Sequence, residues 1–387
     1  MKILFNIFIY YVIIILSEEF TMFKKIFGII LDIIFIVLII GIIYYFFILK
    51  KDNTMIENVQ LQSFSPNYED TISNSQALTN LNVINENTNN FSTNSISTNN
   101  KYYYNQLGYN AKLIYTALEN NIDNLKKDNF KINFSTKFND LLNKQNGKNV
   151  LDKSFQAALD AFFYDHPELF YIDLTKITLY TKYTTIGSKT TYTVSLAPQN
   201  NKNYLSDSFS SESQVDNAIN QIEQIRNSIV SRVNGNNYNK ALIVHDTLVD
   251  MLEYNQNDSN SNTHSIYGAF VNRSVVCEGY AKSFKYIMDS LNIPCILVGG
   301  VATNNTSTTE SHMWNYIQLD GDWYGVDVTW DDPVIIGGSS KKSSRVRRDY
   351  FCKGSSAFNL HQADGKISQN GETFSIPTLS SKDYKNK

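Results

Sequence analysis

Between Asp320 and Gly321 the chain must turn, and that dipeptide does more than any other feature to fix what this region can become. On either side lie Ser311–Leu319 and Trp323–Trp330, which alternate and are rich in aromatic and β-branched residues. Two such runs around Asp-Gly predict a β-hairpin with a two-residue loop. In that register Leu319 faces Asp322, Trp314 faces Asp327 and His312 faces Thr329. Opposed residues share a face of the sheet, as do residues two apart on a strand. His312 and Asp327 then become diagonal neighbours within hydrogen-bond reach. A slip of one residue would send them to opposite faces.

Upstream, Tyr280, Phe284, Ile287, Met288 and Leu291 recur at three- and four-residue steps, which predicts an amphipathic helix over Cys277–Leu291. The short β-favouring run Ser274-Val275-Val276 precedes it, so Cys277 falls in the first helical turn. A free thiol, with a pKa of about 8.5, is only a few per cent thiolate at neutral pH. Unpaired N–H groups and the positive end of the helix dipole favour the anion there. Gly279 and Ala281 leave little bulk beside the sulfur, which suits the approach of a substrate carbonyl. An isolated cysteine is more often a buried structural residue, but this one comes with partners. Cys277, His312 and Asp327 supply a nucleophile, a base and a group that orients the base.

The strings VCEGYAKSF, HMWNYI and DGDWYGVDVTWDDP resemble the transglutaminase-like superfamily of papain-type thiol enzymes. In that superfamily the three motifs carry Cys, His and Asp, which match Cys277, His312 and Asp327 here. The motif match covers about sixty residues, with a looser likeness upstream through His245-Asp246. The resemblance implies an α+β fold with a transglutaminase-like, papain-type core, in which the nucleophile helix packs on an antiparallel sheet. It also implies a thioester intermediate formed from protein amide bonds, without a cofactor. Three readings stay open: acyl transfer to an amine, peptide hydrolysis, and a surface interaction module with an inactive site. The tryptophan that some transglutaminases carry upstream has no counterpart, since the three tryptophans are Trp314, Trp323 and Trp330. The Cys277 N–H is therefore the expected first oxyanion donor, with Tyr267 and Asn272 as candidates for the second. Tyr280, Trp314, Tyr324 and Trp330 are candidate walls of the cleft. No acidic run resembles a calcium loop, so no metal is expected.

The rest of the chain frames this region. A net charge of −3 with mixed signs argues against nucleic acid as a partner. Three cysteines without a CxxC pair exclude a disulfide framework or zinc knuckle, and Cys295 and Cys352 read as core residues. Residues 1–51 read as a membrane anchor. Within them Ile26–Leu49 is apolar apart from Asp32, bracketed by lysine pairs, and long enough to cross a hydrocarbon core of about 30 Å. Ile3–Leu16 is apolar but short, and Met22-Phe23-Lys24-Lys25 looks like the ordinary start of a signal-anchor. Residues 52–100 are dominated by Asn, Ser and Thr and predict a disordered stalk.

Residues 101–205 predict a small α+β domain, with a helix over 151–166, two strands around Gly187, and a DHPELFYID segment resembling one found ahead of the core in bacterial relatives. His166 reads as a helix-end residue. Residues 206–387 complete the catalytic domain. Ser211 and Gln214 resemble a capping box. A helix near 239–254 carries His245-Asp246, whose neighbouring side chains point about 100° apart and are not expected to pair; His245 reads as a core histidine. His264 reads as exposed, Gly337–Arg348 as a solvated basic loop, and Tyr350-Phe351-Cys352 as a last strand. The whole predicts a single-pass membrane protein whose outward-facing domain acts on a protein or peptide.

Overall fold

A computed structural model describes residues 56–59, 101–199, 202–255, 261–303, 309–332, 346–366 and 372–386. The expected anchor and the basic loop up to residue 345 lie outside these, as does most of the expected stalk. Within the stalk segment the backbone of Ile56–Val59 is a strand, contrary to expectation. Among the described residues no helix is long and apolar enough to cross a membrane.

In chain order the main elements are β1 (Ile56–Val59), α1 (Tyr109–Glu119), β2 (Ile132–Ser135), α2 (Gly147–Asp165), β3 (Ile177–Ile186) and β4 (Lys189–Pro198). Then come α3 (Glu212–Val230), α4 (Asn237–Met251), β5 (Glu253–Tyr254), β6 (Ser274–Val275) and α5 (Cys277–Ser290). Last are β7 (Cys295–Thr303), β8 (Thr309–Leu319), β9 (Asp322–Val326), the single turn α6 (Val328–Asp331) and β10 (His361–Ala363). Two compact units are distinguished. The described part of one comprises Ile56, Glu57 and the hairpin tip Lys182–Thr191; the other contains everything discussed below.

Local chemistry explains the boundaries. Ser211 accepts a hydrogen bond from the Gln214 N–H and starts α3, while the Gln214 side chain reaches back to Ser210. Helix α2 stops at Asp165, ahead of Pro167. His166 closes it, and its ring meets Glu168 at 2.7 Å and the Tyr115 hydroxyl at 3.1 Å. It is therefore a paired residue rather than a bare helix end. Asp320 and Gly321 both take positive φ, 52° and 95°, the conformation that a two-residue primed turn requires. The expected register follows, with Leu319 opposite Asp322 and Asn315 opposite Val326.

The second strand of the hairpin is shorter than expected. It ends at Val326, and Val328–Asp331 is helical because the Asp327 side chain accepts hydrogen bonds from the Thr329 and Trp330 N–H groups. Side-chain capping competes with the ladder at this point and prevails. Tyr350-Phe351-Cys352 is likewise not a strand; Lys353 bridges back to Gly325, and the Tyr350 carbonyl accepts from the Asp327 N–H.

The sheet that positions the site has the order β10-β7-β8-β9 with antiparallel neighbours. Helix α5 docks on it through buried polar contacts as well as apolar ones. Asn315 Nδ2 donates to the carbonyls of Ala281 and Ile296, and Lys285, buried and paired with Asp289 at 2.8 Å, donates to the Cys295 carbonyl. One hydrophobic cluster runs from Tyr103 through α1 and α2 to Val298, Trp314 and Phe358, so residues on both sides of the expected 205/206 boundary share a core. A second gathers around α4, α5 and the far end of the hairpin. Cys295 and Cys352 are buried in it, as expected.

Gly300 lies opposite His312 on β7, and a Cβ there would stand 2.1 Å from the Gln362 carbonyl oxygen of β10. We expect Gly300→Ala to push β10 away and to cost about 1–3 kcal/mol. A thermal melt checks this; an unchanged midpoint would mean that β10 yields freely.

Candidate active site

The first turn of α5 carries Cys277. Helix placement there depends on Gly279, because a Cβ at that position would lie 2.5 Å from the Val275 Cβ and 2.7 Å from the Thr263 carbonyl oxygen. The glycine therefore lets the helix start seat against β6, rather than clearing space beside the sulfur as the sequence suggested. Cys277 is a free, partly exposed thiol. Its neighbour Glu278 pairs with Lys282 and His264, at 2.6 and 2.8 Å. Burial works against that carboxylate's charge, but Lys282 and His264 lower its pKa to about 2. His264 is thus engaged in an ion pair instead of simply exposed.

His312 stands on β8 and is buried. Its Nε2 lies 2.7 Å from Asp327 Oδ2, and the Cys277 thiol is near enough to the ring to raise its pKa. With Nε2 committed to the carboxylate, Nδ1 is the nitrogen left for the sulfur. The imidazole is thus bonded to the carboxylate and near the thiol. Burial disfavours the imidazolium, yet the Asp327 charge and hydrogen bond, followed by those of Cys277, raise the His312 pKa to about 10. Burial also opposes the charge on Asp327, but His312 and then His361 hold its carboxyl well below the usual range.

His361 was not among the residues the sequence singled out. Its Nε2 sits 2.9 Å from Asp327 Oδ2, the same oxygen that His312 uses. The pairing of strands shows how. His361 lies opposite Ala302 and His312 opposite Gly300, so the two imidazoles share a face with only small residues between them on β7. Ring centroids are 5.8 Å apart. No motif spacing announces a histidine 34 residues beyond the aspartate; the signal was confined to the pair of small residues at Gly300 and Ala302.

The other candidates divide. Trp330 and Trp314 stack against His312, at 5.4 and 5.9 Å between centroids, and Trp314 is itself buried. Tyr280 is not a cleft wall: it is buried and its hydroxyl donates to Asp332 Oδ2 at 2.5 Å. Tyr324 packs in the second core against Tyr384. Tyr267 stacks on Phe170 between the two clusters, and Asn272 is exposed at the end of a π-helical turn.

His245 is a buried, bonded histidine as expected. Its Nε2 meets Asp331 at 3.0 Å, and its Nδ1 does meet Asp246 at 3.0 Å, so the adjacent pair can bond after all. Among the described residues the donor atoms of His312, Asp327 and His361 all lie within 4.8 Å of one another, close enough to hold a metal ion. The Nε2 and Oδ2 atoms such an ion would need are already joined by hydrogen bonds.

Comparison with known proteins follows from this geometry. Residues 224–328 match the transglutaminase-like superfamily. This stretch belongs to that superfamily. The transglutaminase-like domain so defined includes Cys277, His312 and Asp327 and stops short of His361. No curated protein sequence matches the chain.

Among solved structures, one described as a TGase shares 13% identity over 43% of this chain at a TM-score of 0.27. The chain spans about half of that protein, 47% of its length. A Cytophaga hutchinsonii structure, provisionally described as a cysteine protease, shares 19% identity over 39% of this chain and 57% of its own, at 0.24. The periplasmic domain of TgpA from Pseudomonas aeruginosa, bound to ethylmercury, shares 12% over 41% and 74%, at 0.21. Superposition at this level assigns no activity.

The charge on His312 is set by Asp327, which generates a pH prediction. The imidazole should stay protonated through neutral pH and lose its proton as pH rises through about 10. Asp327→Asn removes the stabilising charge while burial persists, so the titration should move down by about 1–3 units. Imidazole NMR shifts followed against pH check both; an unmoved midpoint in the variant would show that Asp327 does not govern this charge.

Proposed function

We propose that the transglutaminase-like domain is a thiol enzyme acting on protein amide bonds. The carrying observation is that Cys277, in the first turn of a helix, lies beside His312, which is itself bonded to Asp327 at 2.7 Å. The Cys277 thiolate attacks the amide carbonyl, with the Cys277 N–H as one oxyanion donor. As the C–N bond breaks, His312 gives its proton to the departing amine and a thioester remains. A second amine or water then attacks that thioester. His312 takes the attacking group's proton and the thiolate is released.

Acyl transfer and hydrolysis differ only in which nucleophile reaches the thioester. We favour transfer to an amine. Trp330 covers one face of His312, and an aromatic cover of this kind lowers the access of bulk water. A peptidase is the second reading, favoured by the partial exposure of Cys277 beside its buried partners. The apolar run Ile26–Leu49 would tether the domain to a membrane, with the Asn/Ser/Thr-rich segment carrying it outward.

Incubation with a glutamine-bearing peptide and a primary amine, followed by mass analysis, tests the reading. Amide adduct should form and grow with amine concentration. Cys277→Ala and His312→Ala should each abolish it, while Cys295→Ala and Cys352→Ala retain it. Backbone cleavage unaffected by amine would establish a peptidase instead, and turnover in Cys277→Ala would end the thiol mechanism. In intact cells, added protease should remove the domain from the surface; protection would contradict outward display.

A further inference from the structure

Asp327 is held by more than the transglutaminase-like stretch supplies. Its Oδ1 accepts from the Thr329 and Trp330 N–H groups, at 3.0 and 3.1 Å. Its Oδ2 accepts from two imidazoles, His312 at 2.7 Å and His361 at 2.9 Å. His361 comes from β10, outside the matched residues 224–328. Its side chain is fully buried and stacks flat on Phe358, with centroids 3.9 Å apart and planes 14° apart. Gly325 makes room for that ring, since a Cβ there would stand 2.7 Å from Phe358.

The contact is built from two sides and leaves His361 one orientation. We propose that His361 is a fourth member of the site, a positioning residue that acts through Asp327. Its Nε2–H pins Oδ2 in the place where His312 must find it. This rests on the reading of Cys277, His312 and Asp327 as the reacting set.

The tautomer follows from the surroundings. Nε2 faces a carboxylate and must carry the hydrogen; Nδ1 is buried and has no hydrogen-bond partner among the described residues. The titratable groups facing His361 are Asp327, His312 and Asp331, with the Tyr350 ring 5.5 Å away. Burial, and then the neighbouring His312, hold the His361 pKa below its ordinary value despite Asp327. His361 therefore donates as a neutral ring and adds no charge to the site. Without it, Oδ2 keeps one moving partner, and His312 loses the fixed end that orients it toward Cys277.

The test needs no substrate. Alkylation of Cys277 by iodoacetamide at neutral pH, followed by mass on the full chain, reports the reactive thiolate. His361→Phe keeps an aromatic ring against Phe358 and removes the donor. It should slow alkylation about tenfold, in keeping with the loss of one hydrogen bond to a charged group. His361→Gln can present an amide N–H near the lost Nε2 and should recover most of the rate. His361→Asn, whose amide falls near the Nδ1 position, should not, and it serves if the Phe variant fails to fold. The decisive readout is coupling. In an Asp327→Asn background, His361→Phe should slow the reaction no further, whereas a merely structural role would cost the same again. Additive losses, or an unchanged rate in both His361→Phe and His361→Asn, would overturn the proposal. If Asp327→Asn itself leaves alkylation at the wild-type rate, the reading of the reacting set has failed instead.

Discussion

The Asp327 carboxylate is the point on which this region depends. A buried, ionised carboxylate is costly unless its lone pairs are met, and here four donors meet them, two backbone and two imidazole. The same side chain ends β9, because Oδ1 draws the Thr329 and Trp330 N–H groups into a helical turn. That turn is fastened at its far end as well. Asp331 accepts from the Tyr350 N–H and bonds His245 on α4, and Asp332 accepts from the Tyr280 hydroxyl on α5. The carboxylate that orients His312 is therefore tied to the helix that carries Cys277 through a short path of buried hydrogen bonds. Displacement of either should be felt by the other.

Helix α5 meets the sheet in the same manner. Lys285 is buried with Asp289 and reaches the Cys295 carbonyl; Asn315 joins the Ala281 and Ile296 carbonyls. Apolar contacts alone would permit sliding along the helix axis, since they are non-directional. Directional bonds to β7 and β8 fix the axial position of α5, and with it the height of the sulfur relative to His312. Gly279 completes this by letting the first turn sit against Val275 and Thr263.

Much of this was legible in the sequence where local rules apply. The turn at Asp320-Gly321 set the register, the apolar spacing after Cys277 set the helix, and together they placed His312 and Asp327 on one face. The sequence reading failed where a side chain competes with the backbone pattern: Val326–Trp330 reads as strand until the capping power of Asp327 is considered. It failed again where partners are distant. Nothing near His361 in sequence reveals that Ala302 and Gly300 open a path to His312. Tyr280 and Tyr324 read as cleft walls because aromatic residues beside a motif invite that role, but burial in the second core claims both. For His245 and Asp246, helix geometry fixes where the bonds leave the backbone and not where a side chain can bend, and the two meet at 3.0 Å.

Two imidazoles donate to one oxygen, yet their pKa values move in opposite directions, because the Asp327 charge outweighs burial at His312 while burial outweighs it at His361. At His312 the Asp327 charge and hydrogen bond lead, and the nearby Cys277 adds to them. At His361 burial leads, and Nδ1 has no hydrogen-bond partner among the described residues. A second proton there would create a buried N–H without an acceptor, next to a ring that is already positive. The pKa values move accordingly, up for one and down for the other, although burial opposes the charge of each. Asp327 thus holds one charged and one neutral ring at nearly the same distance. The positive charge stays on the ring that touches the sulfur.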